Sequence, residues 1–586
     1  MGNRGEYTDV RFYCQRIWTI LLMLEILAGL SLVLCDRTLA QDTTEAKSEP
    51  ATRQLTLPIT APDSNASAVR STMPKIDLPK YVITGSAIID LPLADKLPAQ
   101  EDEQASSLQS ILNSPLTRSR QTVQSELNNK EEVQATQAAA FNGNAYAELG
   151  TYFSPQAGLW FGRKVSDYYF SADGQYYRTR GFAPYTDRSG GNFGLKGETV
   201  FNSYNPLFDQ STLDGNVRYR ADTYNWYGTR RPSVSRNRTD FAFSANLSNW
   251  NNSRFPYSFE AGIENFFVGD SSANVYESRL YFVGATRLSL ASVPLNASVQ
   301  AQLGSISYSN SNASLAFFEG VLGSQHYTWG AYSLVGSVHG YIAEGMENQR
   351  LMRLYPHLNV AYRINSFHNL RFTYAPGILA STLSSDVFAN RNLSATSKIK
   401  HIDDQYDGAL ALESDWSENT RTKLEARVQS MVDYPLYADS LAQRVWFLAY
   451  GGRTTIASFS GEVFAKLRAN DYFAVALAAT VSRNSAIESQ VPYVPAIELG
   501  CRYTGQIAEQ FSGAVTLTLI HQEKDNVVNV STMPSILLVG LRGEYRILEQ
   551  LKAFLDVQNL LNETYEYWKG YQENPFVVSI GLVLRW

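Results

Sequence analysis

The carboxyl-terminal segment 536–586 alternates between apolar and polar side chains in three successive stretches. From 536 to 547 most odd positions are apolar, while the even positions turn polar at Arg542, Glu544 and Arg546. In the last stretch one side carries only large apolar residues, namely Phe576, Val578, Ile580, Leu582, Leu584 and Trp586. A period of two places alternate residues on opposite faces of a strand. The pattern therefore predicts β-strands with one apolar face and one polar face.

Such two-faced strands are typical of a transmembrane β-barrel, which has apolar residues outside, polar residues inside and an aromatic girdle at the membrane interface. Strands of a soluble sandwich or barrel show the same alternation of apolar and polar residues, so a soluble β-protein is the other interpretation. We predict an all-β membrane protein, a closed antiparallel transmembrane β-barrel, preceded by a mostly disordered periplasmic segment. The outer membrane of a Gram-negative-type bacterium is its expected location, with the amino terminus in the periplasm.

The connections between the predicted strands alternate between short and long. Short ones fall near 365–368, 417–419, 468–471, 506–510 and 548–550, and long polar ones near 380–403, 433–443, 483–492, 523–533 and 562–575. Tight periplasmic turns and longer extracellular loops produce this alternation. The count from Ala145 to Trp586 is about 22 strands. To keep the alternation we treat 445–467 as one long strand, bent at Gly451 and Gly452.

Composition agrees with a barrel. The chain has 586 residues, 35 of them Tyr, and aromatic residues reach 12%. Mean hydropathy is nevertheless only −0.23, because a strand with one polar face dilutes the apolar signal that marks a membrane helix. The net charge of −6 provides no basic field, so nucleic acid is not an expected partner.

The amino terminus resembles a secretory signal peptide, which we place at 1–40. Arg11 and Arg16 precede an apolar run over 17–34, and Ala40 ends a small-residue cleavage site. A retained membrane helix is the alternative. Cys501 is the one cysteine that would remain, and we expect it to be a small lipid-facing residue.

The segment 41–140 differs from both of its neighbours. It is rich in Thr, Ser, Ala and Pro and has too little apolar material for a core. We predict that 41–140 is a periplasmic linker or a reduced plug packed inside the barrel. The barrel would span 141–586.

Charged side chains occupy the predicted inner faces of neighbouring strands. Arg421, Lys423, Glu425 and Arg427 share one face of a strand, and Asp407 lies on the strand before it. Charges of mixed sign on a lumen face predict a wet, internally paired wall, with a ligand site as the alternative.

The stretch from Leu354 to Arg363, followed by His368 to Tyr374, resembles the mid-barrel strand pair of TonB-dependent outer-membrane receptors. Asn390 to Leu393 resembles the loop that follows, and Val557 to Trp568 resembles the family's penultimate strand with its Asn-Leu-x-Asn-x-x-Tyr run. The resemblance covers 354–586. It implies a large receptor barrel that handles a solute at the cell surface.

The chain departs from the family's pattern before the barrel. A plug domain with an Arg-Gly segment should precede the first strand, and 41–140 shows no such segment. Five residues there, Tyr81, Val82, Ile83, Thr84 and Gly85, are similar to the box that TonB pairs with by strand addition. A short strand packed against the inner wall is the alternative for this segment.

No motif for catalysis, metal binding or a cofactor is present, since the six His are scattered and nucleophile or phosphate-loop patterns are missing. We therefore expect a non-enzyme without cofactors that mediates binding or passage of a solute across the outer membrane. A structural or docking barrel with an occluded lumen is the alternative. Expected partners are outer-membrane lipid, the barrel assembly machinery through the carboxyl-terminal strand, TonB and an unknown small solute. A cluster in the last loop would contact the solute first or anchor the interface: Tyr565, Tyr567, Trp568 and Tyr571.

Overall fold

A computed structural model describes residues 143–586, except for 166, 202, 204, 206, 251–254, 271–272, 291–292, 309–310, 325, 440–443, 469, 523 and 528–530. The predicted signal peptide, the linker or reduced plug and the TonB-box-like segment all fall on 1–142, which lies outside the described residues.

The described chain consists almost entirely of β-strands. They are β1 (Gly143–Gly150), β2 (Ser154–Val165), β3 (Tyr168–Thr179), β4 (Arg188–Phe201), β5 (Ser211–Asn225), β6 (Ser235–Asn249), β7 (Tyr257–Gly269), β8 (Asn274–Leu290), β9 (Val293–Tyr308), β10 (Ser311–Ser324), β11 (Tyr327–Trp329), β12 (Tyr332–Glu344), β13 (Arg350–Arg363), β14 (His368–Tyr374), β15 (Gly377–Leu379), β16 (Ile402–Ser417), β17 (Thr420–Val432), β18 (Leu436–Asp439), β19 (Trp446–Ala449), β20 (Arg453–Arg468), β21 (Asp471–Asn484), β22 (Pro495–Ala508), β23 (Phe511–Gln522), β24 (Ile536–Arg546), β25 (Leu551–Gln558), β26 (Glu566–Trp568), β27 (Tyr571–Gln572) and β28 (Val577–Arg585). One short helix, α1 (Leu383–Ala389), lies between β15 and β16.

Antiparallel pairing of consecutive strands closes one large sheet into a barrel, because β1 pairs with both β2 and β28. Two wall strands are interrupted. Both β10 and β11 pair with β12, and both β14 and β15 pair with β16. The wall therefore has 22 strands, which confirms the predicted closed antiparallel barrel. Among the described residues, no helix combines the length and the apolar character that crossing a membrane requires.

The two faces of the wall strands differ as the alternation predicts. On β9, Val299 is 61% exposed on the outer face, whereas Gln300 is half-buried on the inner face opposite Glu319. On the inner wall the Arg427 guanidinium donates to the Asp407 carboxylate across 2.7 Å, so the predicted pairing of lumen charges is confirmed at this position. On β28, Ile580, Leu582 and Leu584 are exposed on the outer face. That this strand is recognised by the barrel assembly machinery remains a prediction.

The two ends of the barrel differ in the length of their connections, as predicted. One end, called here the short-turn end, has connections such as 364–367, 418–419 and 547–550. The other, the long-loop end, has 380–401, 433–452, 485–494, 523–535 and 559–576.

The treatment of 445–467 as one strand was wrong. The stretch β19 leaves the wall and pairs with β18, and the wall strand β20 begins at Arg453. Gly452 lies between them with a φ of +67°, a left-handed conformation that favours glycine.

The largest cluster of buried apolar residues in the described chain is formed mostly by the long loops and not by the wall. The described parts of the five long loops fold inward at the long-loop end, and together we call them the lid. Lid residues Leu383, Val387, Ile399, Trp446 and Tyr493 are almost fully buried. They pack against inward-facing apolar residues at the ends of β7 to β10, which are Phe266, Val268, Val275, Ile306 and Leu315.

Candidate functional site

An aromatic cluster forms the centre of the lid and joins three loops, 433–452, 485–494 and 559–576. Trp446 is 1% exposed, and its ring lies 5.2 Å from that of Tyr493. The ring of Trp568 lies 4.4 Å from that of Tyr493 and 4.9 Å from that of Tyr437. Burial raises the pKa of the Tyr437 and Tyr493 hydroxyls well above their usual range, so both stay neutral. The lid is therefore a small dry core inside the mouth of a polar barrel.

The prediction that aromatic residues of the last loop anchor the membrane interface was wrong, whereas the alternative that they contact a solute stays a prediction. Tyr571 has no exposed surface, and Trp568 packs against the aromatic cluster. Tyr565 and Tyr567 pack against Ile520, Ile536 and Leu538 at the inner ends of β23 and β24. Each of these side chains turns inward, because apolar residues in a long loop can be shielded from water by covering one another.

Wall side chains hold both ends of α1. The helix begins after Thr382, whose hydroxyl accepts the Ser385 amide at 3.0 Å. The buried Glu277 carboxylate of β8 accepts the amides of Leu383 and Ser384 at 3.2 and 2.8 Å. At the other end, the Arg238 guanidinium of β6 donates to the Val387 carbonyl at 3.2 Å. An anion at the amino end and a cation at the carboxyl end match the unpaired amides and carbonyls of a helix.

The chain after α1 is fastened to the same part of the wall. Arg236 is fully buried, and its guanidinium donates to the carbonyls of Leu393 and Arg391. The Tyr224 hydroxyl donates to the Arg391 carbonyl at 2.7 Å. Three wall residues on β5 and β6 therefore fix the path of this loop.

A buried ion pair connects this loop to the last one. The Arg391 guanidinium donates to the Glu573 carboxylate at 3.0 Å, and both side chains are nearly buried. Burial alone would lower the pKa of Arg391, but the Glu573 charge more than offsets that effect and raises it. Breaking one partner of a buried pair leaves an uncompensated charge, which makes the pair sensitive to substitution.

A cavity of about 360 Å³ lies beside the lid, between the lid and the wall formed by β1 to β6, β23 to β25 and β28. It reaches from Tyr152 and Phe182, in connections at the long-loop end, down the wall to Glu148 and Asp556. The lid thus fills one side of the mouth and leaves a polar space along the other.

The cavity wall is aromatic and charged but nearly balanced in charge. Six arginines and five carboxylates line it. Several are paired, as Arg238 is with Asp222 at 2.8 Å and Arg542 with Glu544 at 2.9 Å. Six tyrosines also line it, and they are Tyr146, Tyr152, Tyr177, Tyr224, Tyr227 and Tyr565. A lining of this kind suits a small polar solute, since it offers both hydrogen-bonding groups and flat apolar surface.

Strand register brings the cavity residues together from six strands. Glu148 pairs with Gln156, Gln156 with Tyr177, and Tyr177 with Gly190. Gly190 pairs with Asp222, and Asp222 with Arg238. Because partners in register lie on the same face, this row of polar residues faces the lumen continuously from β1 to β6.

Several residues belong to both the lid contact and the cavity lining, and Tyr224 is one of them. The wall residue Arg238 and the lid residues Phe388, Arg391 and Glu573 line the cavity and also hold the lid in place. The Arg238 guanidinium lies 4.2 Å from the centre of the Phe388 ring. A solute in the cavity would therefore touch the side chains that anchor the lid.

Most residues of this site were not predicted from the sequence. Arg236, Arg238 and Glu277 look like ordinary inward charges in the alternating pattern, and their loop partners are over a hundred residues away. Arg391 lies in the stretch Asn390 to Leu393 that resembles the family's loop, and that resemblance implies no anchoring role for it. Within the described residues, no three His, Cys, Asp or Glu side chains are grouped so that they could hold a metal ion.

Solved structures that match the chain are large outer-membrane barrels. The FrpB iron transporter from Neisseria meningitidis matches with a TM-score of 0.61 and 9% identity, covering 77% of this chain and 83% of that one. The copper transporter OprC matches with a TM-score of 0.59 and 11% identity over 76% of this chain and 80% of its own. The ferripyoverdine receptor of the outer membrane of Pseudomonas aeruginosa has a TM-score of 0.56 and 11% identity, covering 76% and 72%. No family model and no curated protein sequence matches.

The fold is therefore the large barrel of these solved structures, and it confirms at the level of the fold the resemblance to TonB-dependent receptors drawn from 354–586. At these identities the likeness concerns the fold alone, and function has to be argued from the lid and the cavity.

Proposed function

We propose that this protein is an outer-membrane barrel that binds a small polar solute in the cavity and passes it through the lumen when the lid loosens. The observation that carries the proposal is the sharing of Arg238, Phe388, Arg391 and Glu573 between the cavity and the lid anchor. A solute that binds at these shared residues shifts the equilibrium between the closed and the loosened lid by the difference in its affinity for the two states. Solute at these residues thus favours the loosened lid.

The long-loop end faces the cell exterior in this proposal, and the short-turn end faces the periplasm. Long extracellular loops and tight periplasmic turns support that orientation. The chain's amino terminus then lies in the periplasm. The matched structures are described as carrying iron, copper or ferripyoverdine. For this chain we limit the solute to one that fits about 360 Å³ and forms hydrogen bonds.

Single-channel conductance in planar bilayers tests the path. The full chain should give rare openings, and the lid variant Trp446→Ala should open more often. Adding Thr518→Trp to that variant fills the cavity lining and should reduce the current. Thr480→Trp is the matched control, because Thr480 lies on the inner face of β21 outside the cavity lining. Equal currents from the two tryptophan variants would show that ions do not follow the cavity.

A structural or docking barrel with a blocked lumen is the second candidate, and the dry core of the lid favours it. In that case the Trp446→Ala variant stays silent in the bilayer. Deleting residues 41–140 then separates two causes of silence. A rise in current shows that this segment is a stopper, whereas unchanged silence assigns the block to the described barrel and its lid.

We propose TonB as a partner through the segment Tyr81, Val82, Ile83, Thr84 and Gly85. Strand addition needs an exposed backbone, and proline removes one donor from it. A peptide covering 81–86 should bind a TonB carboxyl-terminal domain in calorimetry, and Val82→Pro should abolish the binding. Absent binding, or binding that Val82→Pro leaves unchanged, would remove TonB from the proposal.

A further inference from the structure

The outer face of the wall carries two exposed arginines at the long-loop end, on neighbouring strands. Arg453 begins β20 and Arg483 lies near the end of β21. Each arginine is followed in the sequence by a fully buried residue, Thr454 after Arg453 and Asn484 after Arg483. The side chains of Thr454 and Asn484 are hydrogen-bonded to each other inside the barrel at 2.8 Å. Because alternate residues point to opposite faces, both arginines project outward.

Strand register shows that these arginines lie at the upper edge of the apolar belt. One outward row consists of Tyr406, Ser430, Thr455 and Arg483, which pair in succession. The row directly below it is apolar, with Gly408, Val428, Ala457 and Val481 in register. The change from apolar to polar between adjacent rows marks the membrane interface on this side of the barrel.

An aromatic pair at the same level supports this boundary. Tyr406 is 45% exposed, and its ring lies 5.6 Å from that of Tyr374 on the next strand. Tyrosine is enriched where hydrocarbon meets headgroups. The arginines thus lie beside an interfacial girdle and not within the hydrocarbon layer.

The side-chain hydrogen-bond partners of Arg453 are neutral. The Arg453 guanidinium donates to the side-chain oxygens of Gln405 and Ser430 at 2.8 and 3.3 Å. Within the described part of the chain, neither arginine forms an ion pair with a carboxylate. At the opposite end of β20, by contrast, Arg468 pairs with Asp471 at 3.8 Å. Two guanidinium groups that no described carboxylate pairs with, at a headgroup boundary, attract phosphate, which arginine binds through parallel hydrogen bonds.

We propose that Arg453 and Arg483 bind the phosphate groups of an anionic glycolipid in the outer leaflet. Gln405, Ser430 and Thr455 supply polar neighbours for the same headgroup. Val428 and Val481 in the row below would contact its acyl chains. The site gives one flank of the barrel a preferred lipid, and it is independent of any solute that passes the lumen.

Lipid retention by the full chain tests this site. The protein is placed in nanodiscs of phosphatidylcholine and exposed to bisphosphorylated lipid A or to the same lipid after enzymatic removal of both phosphates. Lipid bound per barrel is counted by mass spectrometry. The full chain should prefer the phosphorylated lipid by on the order of tenfold, since each surface arginine favours anionic headgroups.

The variants Arg483→Gln and Arg453→Gln/Arg483→Gln should lose that preference stepwise, while Arg468→Gln on the same strand keeps it. Arg483→Gln removes no side-chain hydrogen bond or ion pair that the described chain forms, so the single variant gives a result even if the double variant folds poorly. Equal retention of both lipids by the full chain overturns the proposal, as does full retention by the double variant. Displacement of the lipid by millimolar inorganic phosphate would also overturn it, because the site would then serve free phosphate.

Discussion

The wall and the lid bury their apolar side chains in opposite directions. On the wall, Val299 and Ile580 face outward, and the polar side chains Gln300 and Ser579 face the lumen. In the lid, Trp446, Tyr493 and Trp568 face one another inside that polar ring. The wall therefore needs a surrounding membrane to shield its apolar face, whereas the lid shields its own. This difference implies that the lid can loosen while the wall keeps all of its strand pairs.

The largest expected effect concerns the lid core. Replacing buried Trp446 by alanine should cost the lid about 3–5 kcal/mol of local stability, because it leaves a large cavity. The wall should remain folded. Limited proteolysis should then cut the lid segment 436–449 faster. Trp416→Ala is the matched control, because Trp416 is 58% exposed on the wall. If both variants are cut equally fast, the lid has no core of its own.

The second-largest effect should come from placing a charge on the outer face of the wall. Val299→Arg places a cation in the apolar belt and should cost about 2–4 kcal/mol near the bilayer midplane. Gln300→Arg, one residue further, places the same cation opposite Glu319 on the inner face, where we expect little change. Denaturant unfolding in liposomes measures both. Similar losses from the two variants would contradict the assignment of faces.

The ion pair between two lid loops should have a smaller effect. Glu573→Gln removes the charge that compensates buried Arg391 and should cost the lid about 1–3 kcal/mol. Openings in the planar bilayer should become more frequent. Glu563→Gln serves as the control in the same loop, since among the described residues the half-buried Glu563 side chain accepts only the Leu537 backbone amide of β24. An unchanged opening rate in the Glu573 variant would show that this pair does not hold the lid.

The smallest effect should come from acid. Lys398 and Lys400 hydrogen-bond the Glu347 carboxylate and hold its pKa below its usual range. Its contribution is present above the pKa of the unfolded chain and is lost as the pH falls through the lowered value. Since the group is largely exposed, the contribution is at most a few tenths of a kcal/mol. Proteolysis of the lid on acidification should therefore rise slightly more in the full chain than in Glu347→Gln, which lacks the titrating group.

The wall could be predicted from the sequence because each strand carries its own local signal. Period-two alternation in segments such as 536–547 gave strand number, closure and the short and long ends. The same signal misled at 445–467, where Trp446–Ala449 alternates like a wall strand but pairs with Leu436–Asp439 in the lid. Alternation reports a two-faced strand and not the partner that it pairs with.

The lid and the cavity could not be predicted for the same reason. Trp568 and Tyr571 do not follow the period of two, and their burial depends on partners in other loops. Arg236 and Arg238 bind loop carbonyls about 150 residues away, and only the closed barrel brings those groups together. Sites built from such distant contacts require the three-dimensional arrangement.

Hydrogen exchange followed by mass spectrometry tests most directly whether the lid opens apart from the wall. The peptides to compare cover the lid segments 383–399 and 444–452 and the wall strands β9 and β17, in the full chain and in Trp446→Ala. The account predicts that the substitution speeds exchange in the lid peptides by orders of magnitude and leaves the wall peptides unchanged. Equal acceleration in lid and wall, or no acceleration in the lid, would contradict it.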